Sequence, residues 1–214
     1  MRVIRWLLVT LVVLAGVYVA ADFILKGVAE AAVARSLQSS LELSKQPDVD
    51  LGGFPFLIRA IDGHLDAVDL ECTNVSAGGQ PLRSVTLELG DVRFSATALV
   101  SGRSTRVRFR TSQGRAELTG EDLTAALDDA GVNARIRLSG GTAHASLSGI
   151  PAEVTVDVRL EGQDLVFRPA GLPIPVDLRV DLSGLVPDMH FEDVSIHGAL
   201  AIVTFTLATK HVDL

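Results

Sequence analysis

The side chains of this chain that could do acid–base, nucleophilic or metal chemistry are few and scattered. The five histidines lie apart from one another, and their spacing is not that of zinc ligands. Cys72 is the single cysteine, so it has no partner within the chain for a disulfide, and sequence locates no base to activate it as a nucleophile. The pattern predicts a small structural side chain at Cys72 and no metal site.

The common signatures of catalytic and nucleotide-binding proteins are also missing. The sequence contains no G-x-S-x-G, G-x-G-x-x-G, Walker loop or H-E-x-x-H motif. The acid pairs Glu121-Asp122 and Asp128-Asp129 are interpreted as helix-end and solvated charges. We therefore expect a protein that is not an enzyme and that has no catalytic residue, metal ion or cofactor.

One basic stripe has two interpretations. Arg106, Arg108 and Arg110 alternate along a predicted strand, so they share its polar face. They suit either anionic lipid headgroups or acidic side chains on neighbouring strands.

Nucleic acid is excluded as a partner because the net charge is −7, which repels a polyanion.

The first 25 residues are typical of a membrane-directed segment. Arg2 and Arg5 precede the apolar run 6–21, and apolar residues resume after the lone Asp22. The positive-inside rule places the amino end in the cytoplasm and the rest outside. The run is short of the ~20 residues that span a bilayer, and the small residues 19–21 suit signal peptidase, so an anchor and a cleaved signal both remain open.

This segment sets the predicted domain organisation and location. Residues 1–25 form the membrane anchor or signal, with residues 6–25 in the cytoplasmic membrane, and residues 26–214 form a single exported domain. The domain is expected at the outer face of the cytoplasmic membrane or in the periplasm. From Phe23 to Leu43 a helical period predicts an amphipathic helix whose apolar stripe covers either a sheet or the bilayer surface, and the stripe comprises Ile24, Val28, Ala31, Leu37 and Leu41.

The body of the chain alternates with period two and predicts strands. Apolar residues occupy every second position in the runs Val85–Leu89, Val107–Phe109, Ala134–Leu138, Val154–Leu160 and Val176–Leu182. Short glycine-containing turns between the runs indicate an antiparallel meander, and a change of phase at Gly90-Asp91 predicts a bulge. Two helices are predicted, one from Thr119 to Gly131 and a short one from Phe56 to Ile61. The fold class is α+β and β-dominated.

The predicted interior is aliphatic, and it too has two interpretations. Aromatic residues are only 5% of the chain, and few helices are available to cover a large apolar sheet face. A curved sheet around a helix would leave a groove suited to acyl chains, which need no directional partners. The alternative is a dry sandwich packed on itself.

One motif carries a family resemblance. Gly53-Phe54-Pro55-Phe56-Leu57, after an apolar segment and a helix, resembles the Gly-Phe-Pro-Phe-Leu signature of the LmeA-like phospholipid-binding family of actinobacterial envelope proteins. The resemblance in layout extends from about Phe23 to the end of the chain. It implies a long curved antiparallel sheet wrapped around a helix, similar to tubular lipid-binding domains, with phospholipid in an apolar cavity. Founding relatives are linked to elongation of the mannan chain of lipoglycans.

Together the aliphatic interior and the family resemblance predict a non-enzymatic binder or carrier of phospholipid in the cell envelope, and the resemblance implies a role in supporting lipoglycan elongation. The alternative is a lipid-free structural or assembly module that recruits a glycosyltransferase or another envelope enzyme. Only Phe54, Pro55, Phe56 and Leu57 match the family signature. The residues predicted to point inward and contact lipid are Phe54, Phe56, Leu57, Ile61, Leu87, Phe94, Phe109, Ile136, Val156 and Phe167.

Overall fold

A computed structural model describes most of the chain. The described residues are 2–40, 43–77, 80–97, 106–129, 131–147, 153–170, 178–181, 189–207 and 211–213. Some predicted positions lie outside the described residues, namely Leu41 of the helix and Val176 and Leu182 of a strand. Leu43, the predicted end of the long helix, is described and lies after the helix. The α+β, β-dominated class, the antiparallel sheets and the N-terminal apolar helix are confirmed.

Among the described residues, three helices with defined bounds lie between many strands. Helix α1 spans Arg2–Ser40, α2 spans Phe56–Asp62 and α3 spans Gly120–Asp129. The strands, in chain order, are β1 Asp48–Leu51, β2 His64–Ala77, β3 Gln80–Arg93, β4 Arg106–Arg108, β5 Thr111–Thr119, β6 Ala134–Ser139, β7 Thr142–Leu147, β8 Glu153–Glu161, β9 Asp164–Pro169, β10 Leu178–Asp181, β11 Met189–His197, β12 Leu200–Leu207 and β13 His211–Asp213.

Helix α1 is continuous through the predicted membrane segment and the amphipathic stretch that follows it. Among the described residues, α1 is the one helix whose length and composition suit a bilayer crossing. Its 39 residues correspond to about 58 Å at 1.5 Å per residue, so only the first part can lie within a hydrocarbon core of ~30 Å. The remainder is free to contact the domain.

The described strands form two antiparallel sheets. In the larger sheet the strand order is β1-β2-β3-β5-β12-β11, with β4 paired to β3 and β13 paired to β4. In the smaller sheet the order is β10-β9-β8-β7-β6, a simple meander. Hairpin connections of two residues join β6 to β7 and β8 to β9, where Gly140, Gly141 and Gly162 have positive φ angles.

The predicted phase change at Gly90-Asp91 is present, but the bulge proposed to explain it is not. Val92 is buried although it is out of phase with Leu87 and Leu89. The pairing of β2 with β3 keeps the same register on both sides, from Ala67↔Gly90 to Leu65↔Val92. Asp91 has φ +53°, and both strands change face together without an inserted residue. The sequence pattern could not distinguish a bulge from a change of face in both strands, because both shift the alternation of apolar residues by one position.

Helix α3 lies against both sheets, and its N-terminus is capped as the sequence predicts. The Thr119 Oγ1 accepts a hydrogen bond from the Asp122 N–H at 3.2 Å, while the Asp122 carboxylate accepts from the Thr119 N–H at 2.7 Å. Thr124 Oγ1 accepts from the Ile136 N–H at 2.9 Å and so joins α3 to β6. The buried face of the helix consists of Leu123, Ala126 and Leu127.

The apolar interior is divided into two clusters. The inter-sheet cluster packs α3 with the facing sides of both sheets and contains Phe167, Phe191, Phe205, Leu127 and several alanines. The anchor-side cluster lies beneath α1 and α2 and is built from Ala34, Val49, Leu51, Phe56, Leu65, Val68, Val92 and Phe109. The C-terminal part of α1, which carries Ala29, Ala34 and Leu37, therefore packs on the anchor-side cluster and not on the inter-sheet cluster.

Truncation of Leu127 tests whether α3 closes the inter-sheet cluster. Leu127→Ala removes a fully buried side chain, so we expect it to lower the free energy of unfolding by about 2–5 kcal/mol. Urea unfolding of the detergent-solubilised full chain, followed by circular dichroism, measures the change. Ile202→Ala is the control, because Ile202 is half-buried and should cost less. Equal losses for the two variants would contradict the role of α3.

Candidate functional site

The Gly-Phe-Pro-Phe-Leu segment forms the entry to helix α2. Pro55 occupies the N-cap with φ −71° and ψ 129°, and it has no side-chain atom that can cap the helix. The helix ends at Gly63, whose left-handed φ of +69° lets its N–H bond back to the carbonyl oxygens of Ala60 and Arg59. The helix begins at Phe56 and stops at Gly63 as the sequence predicts, and it extends one residue beyond the predicted Ile61.

The cap that Pro55 lacks is supplied by Asp22 of helix α1. The two Asp22 carboxylate oxygens accept hydrogen bonds from the backbone N–H of Phe56 at 2.9 Å and of Leu57 at 2.7 Å. Asp22 is only 2% exposed, and it is the one buried charged side chain among the described residues. A carboxylate is favourable at this position because the first N–H groups of a helix have no partner within it.

Two further side chains continue this attachment along α1. Lys26 Nζ lies 2.8 Å from the Asp50 carboxylate, and Glu30 Oε1 accepts a hydrogen bond from the Leu51 N–H at 3.0 Å. Asp22, Lys26 and Glu30 follow one another at intervals of four residues and so share one helix face. This polar face joins α1 to β1 and α2, beside the apolar contact that Ala34 makes within the anchor-side cluster.

The apolar stripe predicted for α1 is therefore only partly used. Leu37 packs against the anchor-side cluster, but Ile24 and Val28 are exposed. Contact with the domain, one of the two predicted roles of the stripe, holds for its downstream part only, because the polar face of Asp22, Lys26 and Glu30 turns the upstream part outward. The four-residue spacing of these three residues was visible in the sequence, although its meaning was not.

Two of the predicted lipid contacts do not point inward. Phe54 is 58% exposed and Ile61 is 68% exposed, so the expectation of an inward orientation is wrong for both. The anchoring of α2 by Asp22 explains this, because it fixes which face of the short helix meets the domain, and that face carries Phe56. Leu57, next to Phe56, is half-buried.

The other predicted contacts separate into two groups. Phe56 and Phe109 are buried in the anchor-side cluster, with Phe94 packed against it. Ile136, Val156 and Phe167 are buried together in the inter-sheet cluster, with Leu87 packed against that. The structure thus places the two groups in separate clusters, and Phe167 has no exposed surface.

Between the two clusters the inner face of the larger sheet is incompletely covered. One row of aligned residues crosses this face from Val49 through Leu70 and Leu87 to Gly114, Phe205 and Phe191. Its ends, Val49 and Phe191, are buried, whereas the central Leu70 and Leu87 are half-buried. We call the half-buried positions of this face the inner-face strip, and they are Leu70, Cys72, Val85, Leu87 and Leu89.

A glycine gives the strip its shape. A Cβ at Gly114 would lie 2.1 Å from the Phe205 ring, so any side chain there would displace the ring. With glycine, Phe205 lies across β5 and closes the inter-sheet cluster beside Leu87. The strip therefore ends at a wall of packed aromatic and aliphatic side chains.

Cys72 belongs to the inner-face strip. It pairs in register with Val85 and is half-buried. Burial, followed by the negative charge of Glu71, raises the pKa of the Cys72 thiol above its usual value. The thiol therefore stays protonated and weakly nucleophilic at neutral pH, in agreement with a structural role. The sequence could not place Cys72 here because it does not show which strand face is half-covered.

The outer face of the larger sheet carries segregated charges. Asp50, Asp69 and Glu88 align across β1, β2 and β3, and burial followed by repulsion from Glu88 and Asp50 raises the pKa of Asp69. The residues described contain no group of three or more His, Cys, Asp or Glu side chains placed to hold a metal ion. The row is thus a solvated acidic surface.

The basic stripe interacts with a carboxylate in part. Arg110 Nε lies 3.6 Å from Asp91 Oδ2, and Arg93 and His64 both lie 3.2 Å from Asp91 Oδ1. The Arg93 hydrogen bond is the main cause that lowers the pKa of Asp91. Arg108 is aligned with Arg93 on one side and His211 on the other. Of the two interpretations of the stripe, ion pairing therefore holds for Arg110.

A surface cleft lies beside α3. It has a volume of about 940 Å³ and is lined by charged residues, among them Arg83, Arg135, Arg137, Glu121 and Asp128, above an apolar floor that includes Leu138. Ile136, a predicted lipid contact, also borders it. The cleft has the size usual for ligand sites, but its rim is polar.

Removal of the Asp22 cap tests its role in positioning α2. Asp22→Ala leaves the N–H groups of Phe56 and Leu57 without their acceptor, so we expect a loss of about 1–3 kcal/mol in stability. Hydrogen exchange at those two amides should accelerate more than elsewhere. Asp62→Asn, at the exposed end of α2, is the control. Unchanged exchange in Asp22→Ala would show that α2 is positioned without it.

No curated protein and no solved structure matches the chain. A family model, described as LmeA-like phospholipid-binding, matches residues 20–207. The match begins two residues before Asp22 and ends at the last residue of β12, so it includes α2, α3 and most strands of both sheets. The chain belongs to the LmeA-like phospholipid-binding family.

Proposed function

We propose that this protein binds or carries phospholipid in the cell envelope without catalysing a reaction on it. The inner-face strip is the observation that carries the proposal, because it presents half-buried aliphatic side chains between two closed clusters. Membership of a phospholipid-binding family supports the same ligand class. Acyl chains would contact Leu70, Leu87 and Leu89, with Phe94 and the anchor-side cluster at one end.

The energetics of this site favour a chain-like apolar ligand. Each methylene removed from water contributes about 0.8 kcal/mol, and an acyl chain needs no directional partner. The strip offers leucine, valine and one thiol, which present no strong hydrogen-bonding group. Ile136, Val156 and Phe167 lie deeper, and a ligand would contact them only if the inter-sheet cluster separated.

We propose that α1 remains attached as an anchor. The small residues Val19–Ala21, which a signal peptidase would need in an extended conformation, lie within a continuous helix. Cleavage after Ala21 would make Asp22 the new N-terminus and place an ammonium group beside the cap of α2. The proposed organisation is thus a membrane segment in residues 1–25 and a single exported domain in residues 26–214, at the outer face of the cytoplasmic membrane.

A lipid-free assembly module is the second candidate, and the closed inter-sheet cluster favours it. A tightly packed sandwich can expose a surface for an envelope glycosyltransferase without holding a ligand. Support of lipoglycan elongation is compatible with either function, because a lipid carrier and a recruiting module can each serve a membrane glycosyltransferase.

Lipid content of the purified protein separates the two candidates. We expect the full chain to copurify with phospholipid at a ratio near one per chain, detected by organic extraction and native mass spectrometry. Leu87→Gln should reduce this ratio because it places an amide on the inner-face strip. Ile202→Gln is the matched control, because Ile202 is aligned with Glu117, next to Ala116 and so on the opposite face of the sheet.

A lipid-free wild-type chain that also fails to take up added phospholipid would favour the assembly module. Equal lipid content in Leu87→Gln and Ile202→Gln would reject the inner-face strip as the site. Leu70→Gln repeats the test at the neighbouring position, so the result does not depend on the folding of one variant.

The single thiol provides a second measurement. Because Cys72 lies on the strip, we expect bound phospholipid to slow its modification by a water-soluble maleimide. The raised pKa also predicts that the rate in lipid-free protein increases as the pH rises beyond the ordinary thiol range. Mass spectrometry of quenched samples gives the rates. Equal rates with and without lipid would place the ligand away from Cys72.

A further inference from the structure

An exposed apolar surface lies where α1 leaves its apolar segment. Outside α1, the exposed large apolar side chains of the described residues are Phe54, Ile58 and Ile61. Phe23 of α1 joins them, because its ring centroid lies 6.4 Å from that of Phe54. We call Phe23, Phe54, Ile58 and Ile61 the apolar patch. An exposed group of this kind on an otherwise polar domain surface marks an interaction site.

The hydrogen bonds of Asp22 fix the height of this patch along α1. They hold the first turn of α2 beside residue 22, one position beyond the apolar run 6–21. Helix α2 has seven residues and is therefore about 10 Å long. All of the patch thus lies within about 10 Å of the end of the apolar run.

The length of the apolar run places this level inside the bilayer boundary. Sixteen residues span about 24 Å, which is about 6 Å less than the hydrocarbon core. Four more residues, 22–25, complete the span, and Phe23, Ile24 and Leu25 among them are exposed. Asp22 can lie at this depth because α2 covers it and satisfies both of its oxygens.

Charged groups set the outer limit of insertion. Lys26 pairs with Asp50, and the Asp50 side chain is 64% exposed. This ion pair lies one helical turn beyond Asp22 and needs water or headgroups around it. The hydrocarbon boundary therefore falls between Leu25 and Lys26, which leaves the apolar patch at the level of the interface.

We propose that the apolar patch inserts into the outer leaflet of the same bilayer that α1 crosses, and so seats the domain directly on the membrane. The proposal rests on the membrane anchoring proposed above, and it goes beyond lipid binding because it assigns a second, separate surface to lipid. Interfacial helices bury their apolar face by about 5–10 Å, a depth that keeps such a face at the boundary between headgroups and acyl chains.

Depth measurements on the full chain test this docking. In a Cys72→Ala background, Ile58→Cys or Ile61→Cys carries an environment-sensitive fluorophore, and Ser146→Cys on the five-stranded sheet is the exposed control. Each protein is reconstituted into phosphatidylcholine vesicles that contain phospholipid with a spin label near the top of the acyl chain. We expect blue-shifted, quenched emission at Ile58 and Ile61 and neither effect at Ser146.

Alkaline carbonate extraction of the same vesicles separates the two levels of the proposal. Labels at Ile58 and Ile61 that resemble Ser146, in a chain that carbonate leaves in the membrane, would overturn docking but not anchoring. A chain released by carbonate would overturn both. Neither result depends on the copurified phospholipid, so the lipid-carrier function stands or fails separately.

Discussion

The pair of hydrogen bonds from the N–H groups of Phe56 and Leu57 to Asp22 is the interaction on which the arrangement of α1, α2 and the anchor-side cluster depends. Proline at the N-cap cannot satisfy these donors, and a carboxylate in an apolar helix cannot be buried alone. The N–H groups of α2 thus gain an acceptor and the Asp22 carboxylate gains donors, although they lie 34 residues apart in the chain. The contact holds α2 against α1 and thereby orders the anchor-side cluster and the start of β2.

The positions of the two clusters determine which part of the inner face of the larger sheet stays half-buried. The inter-sheet cluster is closed by alanines, by Phe205 lying over Gly114 and by α3. The anchor-side cluster is closed by α1 and Phe56. The inner-face strip stays half-buried because the two clusters meet on one large sheet without merging.

The sequence predicted the elements that follow from local chemistry. Thr119 with Asp122 capped α3, Pro55 and Gly63 bounded α2, and period-two runs gave the strands of both sheets. It failed where the partner is distant in sequence. The exposure of Phe54 depends on Asp22, and the half-burial of Leu70 depends on where two clusters end. Neither condition is encoded in the residues near Phe54 or Leu70.

The unbroken course of α1 from Arg2 to Ser40 has a mechanical consequence. Under the anchoring proposed above, a helix without a flexible joint is a rigid support, which does not let the domain swing away from the bilayer. A phospholipid carried as proposed would then stay at a constant distance from the membrane surface. Its transfer to a more distant acceptor would require that the acceptor approach the membrane.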